Sequence, residues 1–385
     1  TVLIGSGIVT TIFSTILVYK IARQLMDRAW AFLTTETFLF VFAFGHYVYL
    51  GNYNFILPFS YPATHSILFS LAAIFFFFRY GKHKRPRDQF AVMALSSLCL
   101  LSKAEIGVLL LISLLAALVM ARLFTTEIPK TSRPFASFIG VPALVAAFIY
   151  GVFFLASRST LHGSNLSDLF AANTTLASPF TAWLSGINTL PQNLWLMAKS
   201  LLGYAAFAAL FWMSGYVAET ASAVSNKPLR TALQAIIVTV TLAAVLSFLR
   251  ICFSPELQYR ALPVFLIAMV VVIGLKVIRK RQQPHALPLI SLSLFALLIT
   301  MRMIFSIRPA HYGFYLLVPG MIVYHIFLAK ILAPRLHNTT ARRFFLCGFY
   351  LTLIVLAAGH FQISRLAYAQ RSLYLYSMVN FAPLI

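Results

Sequence analysis

The chain has 385 residues, 61% hydrophobic and only 10% charged, with a formal charge of +22 and a mean hydropathy of +0.87. Soluble domains are about one quarter charged, so the composition excludes a water-soluble globular enzyme. The positive charge does not indicate a nucleic-acid partner either, because the cations stand in short breaks between apolar runs rather than in a stripe on a soluble domain.

Taken in chain order, apolar runs suited to spanning the membrane fall at 1–18, 30–49, 66–78, 90–101, 107–120, 135–155, 194–217, 231–248, 261–277, 287–301, 313–329 and 344–360. A spanning helix needs about 20 mostly apolar residues. The runs are too long, and too poor in period-two alternation, for barrel strands, so hydrocarbon forces them into helices. The expected fold is all-α, a polytopic transmembrane bundle of about twelve spans. It forms one unit over 1–361, followed by an extracytoplasmic tail over 362–385. The runs at 66–78 and 90–101 are short for a bilayer and are expected to extend into their polar flanks or to stop partway across. Cys99, Cys252 and Cys347 stand alone in apolar contexts without CxxC spacing and read as packing residues.

Lys and Arg in alternate breaks fix the orientation. The breaks after the odd-numbered spans hold 21 of the 30 cations, so odd spans are predicted to run from outside to inside. Thr1 is then expected to lie outside, with a preceding helix and outer loop upstream of it. The longest outer break, 156–193, is rich in Ser, Thr and Asn and carries Arg158, His162, Asp168 and Trp183, a pattern suited to an interfacial helix or a lid.

Charges on the outer side are the informative ones, because a charge in lipid costs about 2.5–3.5 kcal/mol on insertion scales. Lys103 and Glu105 lie in LSKAEI, either as a mutual ion pair tying a helical hairpin or with the lysine set to meet a phosphate. A second group follows the eighth span in RICFSPELQYRALP, with Arg250, Glu256, Gln258, Tyr259 and Arg260. A third, in MRMIFSIRPAHYGFYLLVP, holds Arg302, Arg308, His311, Tyr312 and Tyr315. Tyr and Arg gather at headgroup depth in any case, but three cationic groups on one face suit an anionic lipid headgroup, since arginine forks phosphate oxygens and lysine supplies a compact charge. Thr34, Thr35, Glu36 and Thr37 read as an interhelical hydrogen-bonding seam. His46, Asn52, Asn54, Tyr61 and His65 surround the second outer loop, as packing residues or as the lining of a sugar pocket. Glu105, Asp168 and Glu256 show no recognised metal-ligand spacing, so the sequence names no cofactor and leaves a divalent cation open.

LVYKIARQL at 17–25, FSYPATHSILFSLAAIFFFFRY at 59–80, LLSKAEIGVLL at 100–110, and the helix starts YRALPVFL and HYGFYLLVP together resemble the integral-membrane glycosyltransferases of the GT-C fold. That group includes protein O-mannosyltransferases, the aminoarabinose transferase of lipid A and RgtA/B/C/D-like bacterial relatives. The resemblance runs over about 1–332, with Ala104 where the related stretch has Pro. It implies transfer of a hexose or pentose, with inversion, from a polyprenyl-phosphate donor to a hydroxyl of a lipid, glycan or protein acceptor. The reaction is expected at the outer face of a bacterial inner membrane. The resemblance also implies an acidic general base upstream of Thr1, with Lys103, Arg260, Arg308 and His311 holding the donor phosphate and Glu105, Tyr259 and Tyr312 in support. The alternatives are a transporter or flippase of a lipid-linked or anionic solute, and a surface-polysaccharide ligase or polymerase. Against transport, the halves show no repeat and no matched pair of Gly/Pro-broken spans.

Overall fold

The structure is a computed structural model. It describes residues 2–47, 54–56, 58, 60–124, 136–157, 182, 185–252, 255–279, 286–309, 311, 313–335 and 339–381. Within these stretches the side chains of 136, 157, 250–252, 255, 256, 286, 335, 340, 341 and 371–381 are left aside.

All regular elements among the described residues are helices. In chain order they are α1 (Val2–Leu25), α2 (Arg28–Thr37, running on as a π-helical turn Phe38–Ala43), α3 (Tyr61–His83), α4 (Pro86–Ser102), α5 (Ala104–Phe124), α6 (Val141–Ser157), α7 (Leu190–Ser222) and α8 (Lys227–Cys252). They continue with the short α9 (Pro255–Gln258), α10 (Leu262–Arg279), α11 (Ala286–Thr300), α12 (Val318–Ile326, followed by a π-helical turn Phe327–Leu332) and α13 (Thr339–Phe381). Each of the twelve apolar runs falls on one of these helices. Nine are long and apolar enough to cross a membrane among the described residues, while α2, α4 and α11 are shorter. The protein is an integral, multi-pass, all-α membrane protein.

Element ends follow local chemistry. Asp27 caps α2 by accepting from the Trp30 N–H at 3.0 Å. Proline stands in the first turn of α3, α4, α7 and α12, where its missing N–H costs nothing. The two short runs gain length as expected: 66–78 grows into Tyr61–His83 and 90–101 into Pro86–Ser102. At the other end of the chain, α13 continues without a break through residue 361 to Phe381.

Lipid is as apolar as leucine, so these helices gain little from the hydrophobic effect and associate through packing and polar contacts. The packing is aromatic: Phe42 stacks on Phe314 at 5.0 Å, and Phe207, Phe211, Phe345 and Phe349 fill the seam of α7, α8 and α13. The polar part includes Thr34 Oγ1 and His325 Nδ1, 2.9 Å apart between α2 and α12, so one member of the Thr34–Thr37 patch does join two helices. Thr35 and Thr37 instead donate to carbonyls of their own helix. At the cation-rich end, Arg79 Nε meets the buried Asp88 carboxylate at 3.3 Å and ties α3 to α4.

The turn between α4 and α5 depends on one glycine. A Cβ at Gly107 would lie 2.6 Å from Leu100 Cα and 2.7 Å from its backbone N, too close for either helix to yield cheaply. Gly107→Val is expected to cost about 1–3 kcal/mol by overpacking, read as a lowered thermal midpoint in detergent. Gly274→Ala, which meets open space, should leave the midpoint unchanged or raise it slightly.

Candidate functional site

The polar groups read from the sequence as outer-side collect at one end of the bundle. The element that gathers them is the turn from Met301 to Arg308, between α11 and α12. Arg302 at its start donates to Glu105 Oε1 at 2.8 Å, and the Phe305 carbonyl accepts from Arg260 at 3.1 Å. Ser306 and Arg308 at its end line a cavity.

Arg260 is 5% exposed, and its Nη1 donates to Asn193 Oδ1 at 2.9 Å as well as to Phe305 O. Three side chains of α7 hold the segment that presents it: Asn193 accepts from Arg260, Ser200 Oγ donates to Leu257 O at 2.6 Å, and Tyr204 Oη donates to Gln258 O at 2.9 Å. Asn193 also donates to Gly186 O at 2.8 Å and lies 3.0 Å from Thr189 Oγ1, which fixes the entry to α7. Gly186 sits at φ 81°, and a Cβ there would stand 2.8 Å from Ser306 Cβ. A glycine is required there on two counts, a left-handed backbone and the close approach of the 301–308 turn.

Between these elements lies a polar cavity of about 320 Å³ lined by Asn188, Gln192, Asn193, Arg260, Ser306 and Arg308. Arg308 is half-buried, and its Nε has no hydrogen-bond partner among the described residues. A buried unmet donor carries a desolvation penalty, and a cavity lined, among the described residues, by two guanidinium groups and no carboxylate is suited to an anion. His311 is 3% exposed and accepts from the Gly313 N–H through Nδ1 at 3.0 Å, so the proton of the neutral ring sits on Nε2. Tyr259 is 3% exposed against Phe42, Phe314 and His360, and its hydroxyl has no partner among the described residues. Burial holds that phenol well above its ordinary pKa, so it remains a neutral donor.

Lys103 ends α4 in an extended conformation, its Nζ 3.1 Å from Glu105 Oε1. The same carboxylate oxygen meets Arg302, so Glu105 joins two cations and ties the α4–α5 turn to the 301–308 turn. The ion-pair reading of LSKAEI therefore holds, and neither Lys103 nor Glu105 is among the residues lining the Arg260–Arg308 cavity. The described residues begin at Val2, so Thr1 lies outside them, and so does the position upstream of Thr1 where the general base is expected. Among the described residues the cavity lining holds no carboxylate. Tyr312 also lies outside the described residues, as do Arg158, His162, Asp168, Trp183 and Asn52, and the side chains of Arg250 and Glu256 are among those left aside. His46 and Asn54 are packing groups, His46 stacked on Tyr368 at 4.5 Å and Asn54 donating to the Tyr368 hydroxyl at 3.2 Å. His65 meets Ser6 at 3.1 Å. The sequence reading missed Asn193 and Gln192, whose signal is the pair of polar amides at the head of an otherwise apolar helix.

Residues 1–150 match the family model described as dolichyl-phosphate-mannose-protein mannosyltransferase. The match covers less than half of the chain and supports a membrane glycosyltransferase of the GT-C type, acting in general on a lipid-linked sugar donor and an acceptor. It takes in Lys103 and Glu105 but not Arg260, Arg308 or His311. No curated protein and no solved structure matches the chain.

Removing Asn193 as a partner of buried Arg260 should matter more than removing the half-exposed Glu105 charge, which is 45% exposed. Asn193→Ala is expected to cost about 1.5–3 kcal/mol, the range for hydrogen bonds to charged groups. Glu105→Gln should stay within about 1 kcal/mol. Thermal denaturation of the purified protein in detergent separates the two.

Proposed function

We propose that this protein transfers a hexose or pentose from a polyprenyl-phosphate donor to a hydroxyl of a lipid, glycan or protein acceptor at the extracytoplasmic face of a bacterial inner membrane. The observation that carries this reading is the cavity lined by Arg260 and Arg308, with its unmet Arg308 Nε, in a chain whose first 150 residues match a mannosyltransferase family.

The acceptor oxygen attacks the anomeric carbon from the face opposite the phosphate. The carbon–oxygen bond to the phosphate breaks, the electron pair leaves on the phosphate oxygen, and the acceptor proton passes to a carboxylate, placed by this reading upstream of Thr1. Negative charge therefore grows on the leaving phosphate, where two fixed guanidinium groups in a site of low dielectric lower the barrier. Arg308 supplies a donor that the described residues do not satisfy, and Arg260 supplies a guanidinium whose position is set by Asn193 and Phe305. His311 and Tyr259 are buried and are not among the residues lining the cavity, so they serve in support behind Arg308 and Arg260. Lys103 does not line the cavity and shares its charge with Glu105, so its part in this reading is secondary to that of the two arginines. Glu105 itself, held by two cations, suits an orienting role rather than proton removal.

The test is release of sugar from a radiolabelled polyprenyl-phosphate donor by the protein in liposomes. Arg308→Ala is expected to lower turnover by about 10²-fold, the usual effect of removing one donor to a developing oxyanion, while insertion and thermal midpoint stay intact. Arg260→Ala should lose at least as much activity together with stability. Labelled lipid crossing the bilayer without sugar release would replace transfer with flipping.

A further inference from the structure

The end of the bundle opposite the Arg260 cavity holds a second opening. α7 starts at the cavity with Asn193, and α13 reaches the same end with His360 and Ser364, which meet Gln258 and His46. The start of α8 at Lys227 and of α13 at Thr339 therefore lie at the far end. There α7, α8 and α13 enclose a cleft of about 340 Å³, with Phe211, Leu242, Val245, Arg343, Cys347 and Leu351 in its walls. Gly348 sets the close packing beside it, since a Cβ there would collide with the Phe211 ring. The cleft is open to the bundle surface, so Val238 and Leu242 in its wall stay exposed, as do Ile236 and Leu246 nearby on α8.

A cleft with apolar walls does not hold water, and within a bilayer a hydrocarbon chain fills it. Among the described residues, Arg343 is the one charged group in its wall. It is exposed and has no hydrogen bond or ion pair among the described residues. Lys227 and Arg342 are exposed at the same end, and the three helices contain a single carboxylate, Glu219, which does not line the cleft. Basic pockets between spanning helices recruit anionic headgroups.

We propose that this cleft binds an anionic phospholipid, with an acyl chain between α8 and α13 and the phosphate on Arg343. The site is independent of sugar transfer, since it lies at the other end of the bundle and shares no residue with the Arg260 cavity.

Native mass spectrometry of the purified full-length protein, titrated with phosphatidylglycerol and with phosphatidylcholine of the same chains, tests this. One phosphatidylglycerol should be retained in preference. Arg343→Gln should reduce that binding by about five- to tenfold, the size of one basic residue's attraction for an anionic headgroup, down to the phosphatidylcholine level. Arg342→Gln should change it far less. Cys347 gives a second readout: it is exposed and lines the cleft, whereas Cys99 is buried. In a Cys252→Ser background, alkylation of Cys347 by a membrane-soluble maleimide should be several-fold slower in phosphatidylglycerol nanodiscs than in phosphatidylcholine ones. Equal retention of both lipids, or a preference that survives Arg343→Gln, overturns the proposal. So does polyprenyl phosphate displacing phosphatidylglycerol at equal concentration, which would make the cleft a polyprenyl site.

Discussion

A guanidinium taken out of water must be met by acceptors, and in this bundle that requirement falls on Arg260. It receives the Asn193 side chain from the head of α7 and the Phe305 carbonyl from the turn between α11 and α12. One side chain thereby joins its own segment to two others that are 67 and 45 residues from it in sequence. Helices in lipid have little apolar driving force to hold them in register, so polar contacts of this kind carry much of the specification. Ser200 and Tyr204 repeat the arrangement further along α7, each donating to the backbone that leads to Arg260.

The cavity's character follows from how the charges at this end are divided. Lys103 and Arg302 share Glu105, so one of the two positive charges in that cluster is cancelled close to its source. Arg260 is held by a neutral amide and a carbonyl, which satisfy hydrogen bonds without neutralising its charge, and Arg308 beside it has no partner for its buried Nε among the described residues. Two positive charges with neutral surroundings and restricted water attract an anion far more strongly than the same charges would at an open surface. A buried and a half-buried arginine at one end of a bundle thus acquire the property that a phosphate leaving group requires.

Much of the fold was legible because lipid imposes a strict rule on backbone hydrogen bonds, and each long apolar run had to become a helix. The ends were harder. Runs 66–78 and 90–101 lengthen because Thr64, His65 and Asp88 continue the helices while finding partners in Tyr61, Ser6 and Arg79, and contacts of that kind have no signature in composition. Of the site, the sequence identified the arginines by their placement on the face without the orientation signal. It offered the Lys103–Glu105 ion pair as one of two readings but did not choose it, and it gave Arg260 no partner, because the Asn193 amide that meets it is far away in sequence. Asn193 went unread for the same reason: an amide at the head of an apolar helix gains meaning only once Arg260, 67 residues away, is placed against it.

The most direct measurement is equilibrium binding of a polyprenyl phosphate carrying no sugar, compared with the parent polyprenol, to the purified protein and to its Arg308→Gln variant. A phosphate-seeking cavity should bind the phosphate form about tenfold or more tightly, the worth of one charge-assisted contact, and the variant should lose most of that difference while still binding the polyprenol. Equal affinity for phosphate and alcohol, or a preference untouched in the variant, would show that the Arg260–Arg308 cavity is not where the donor's charge is held.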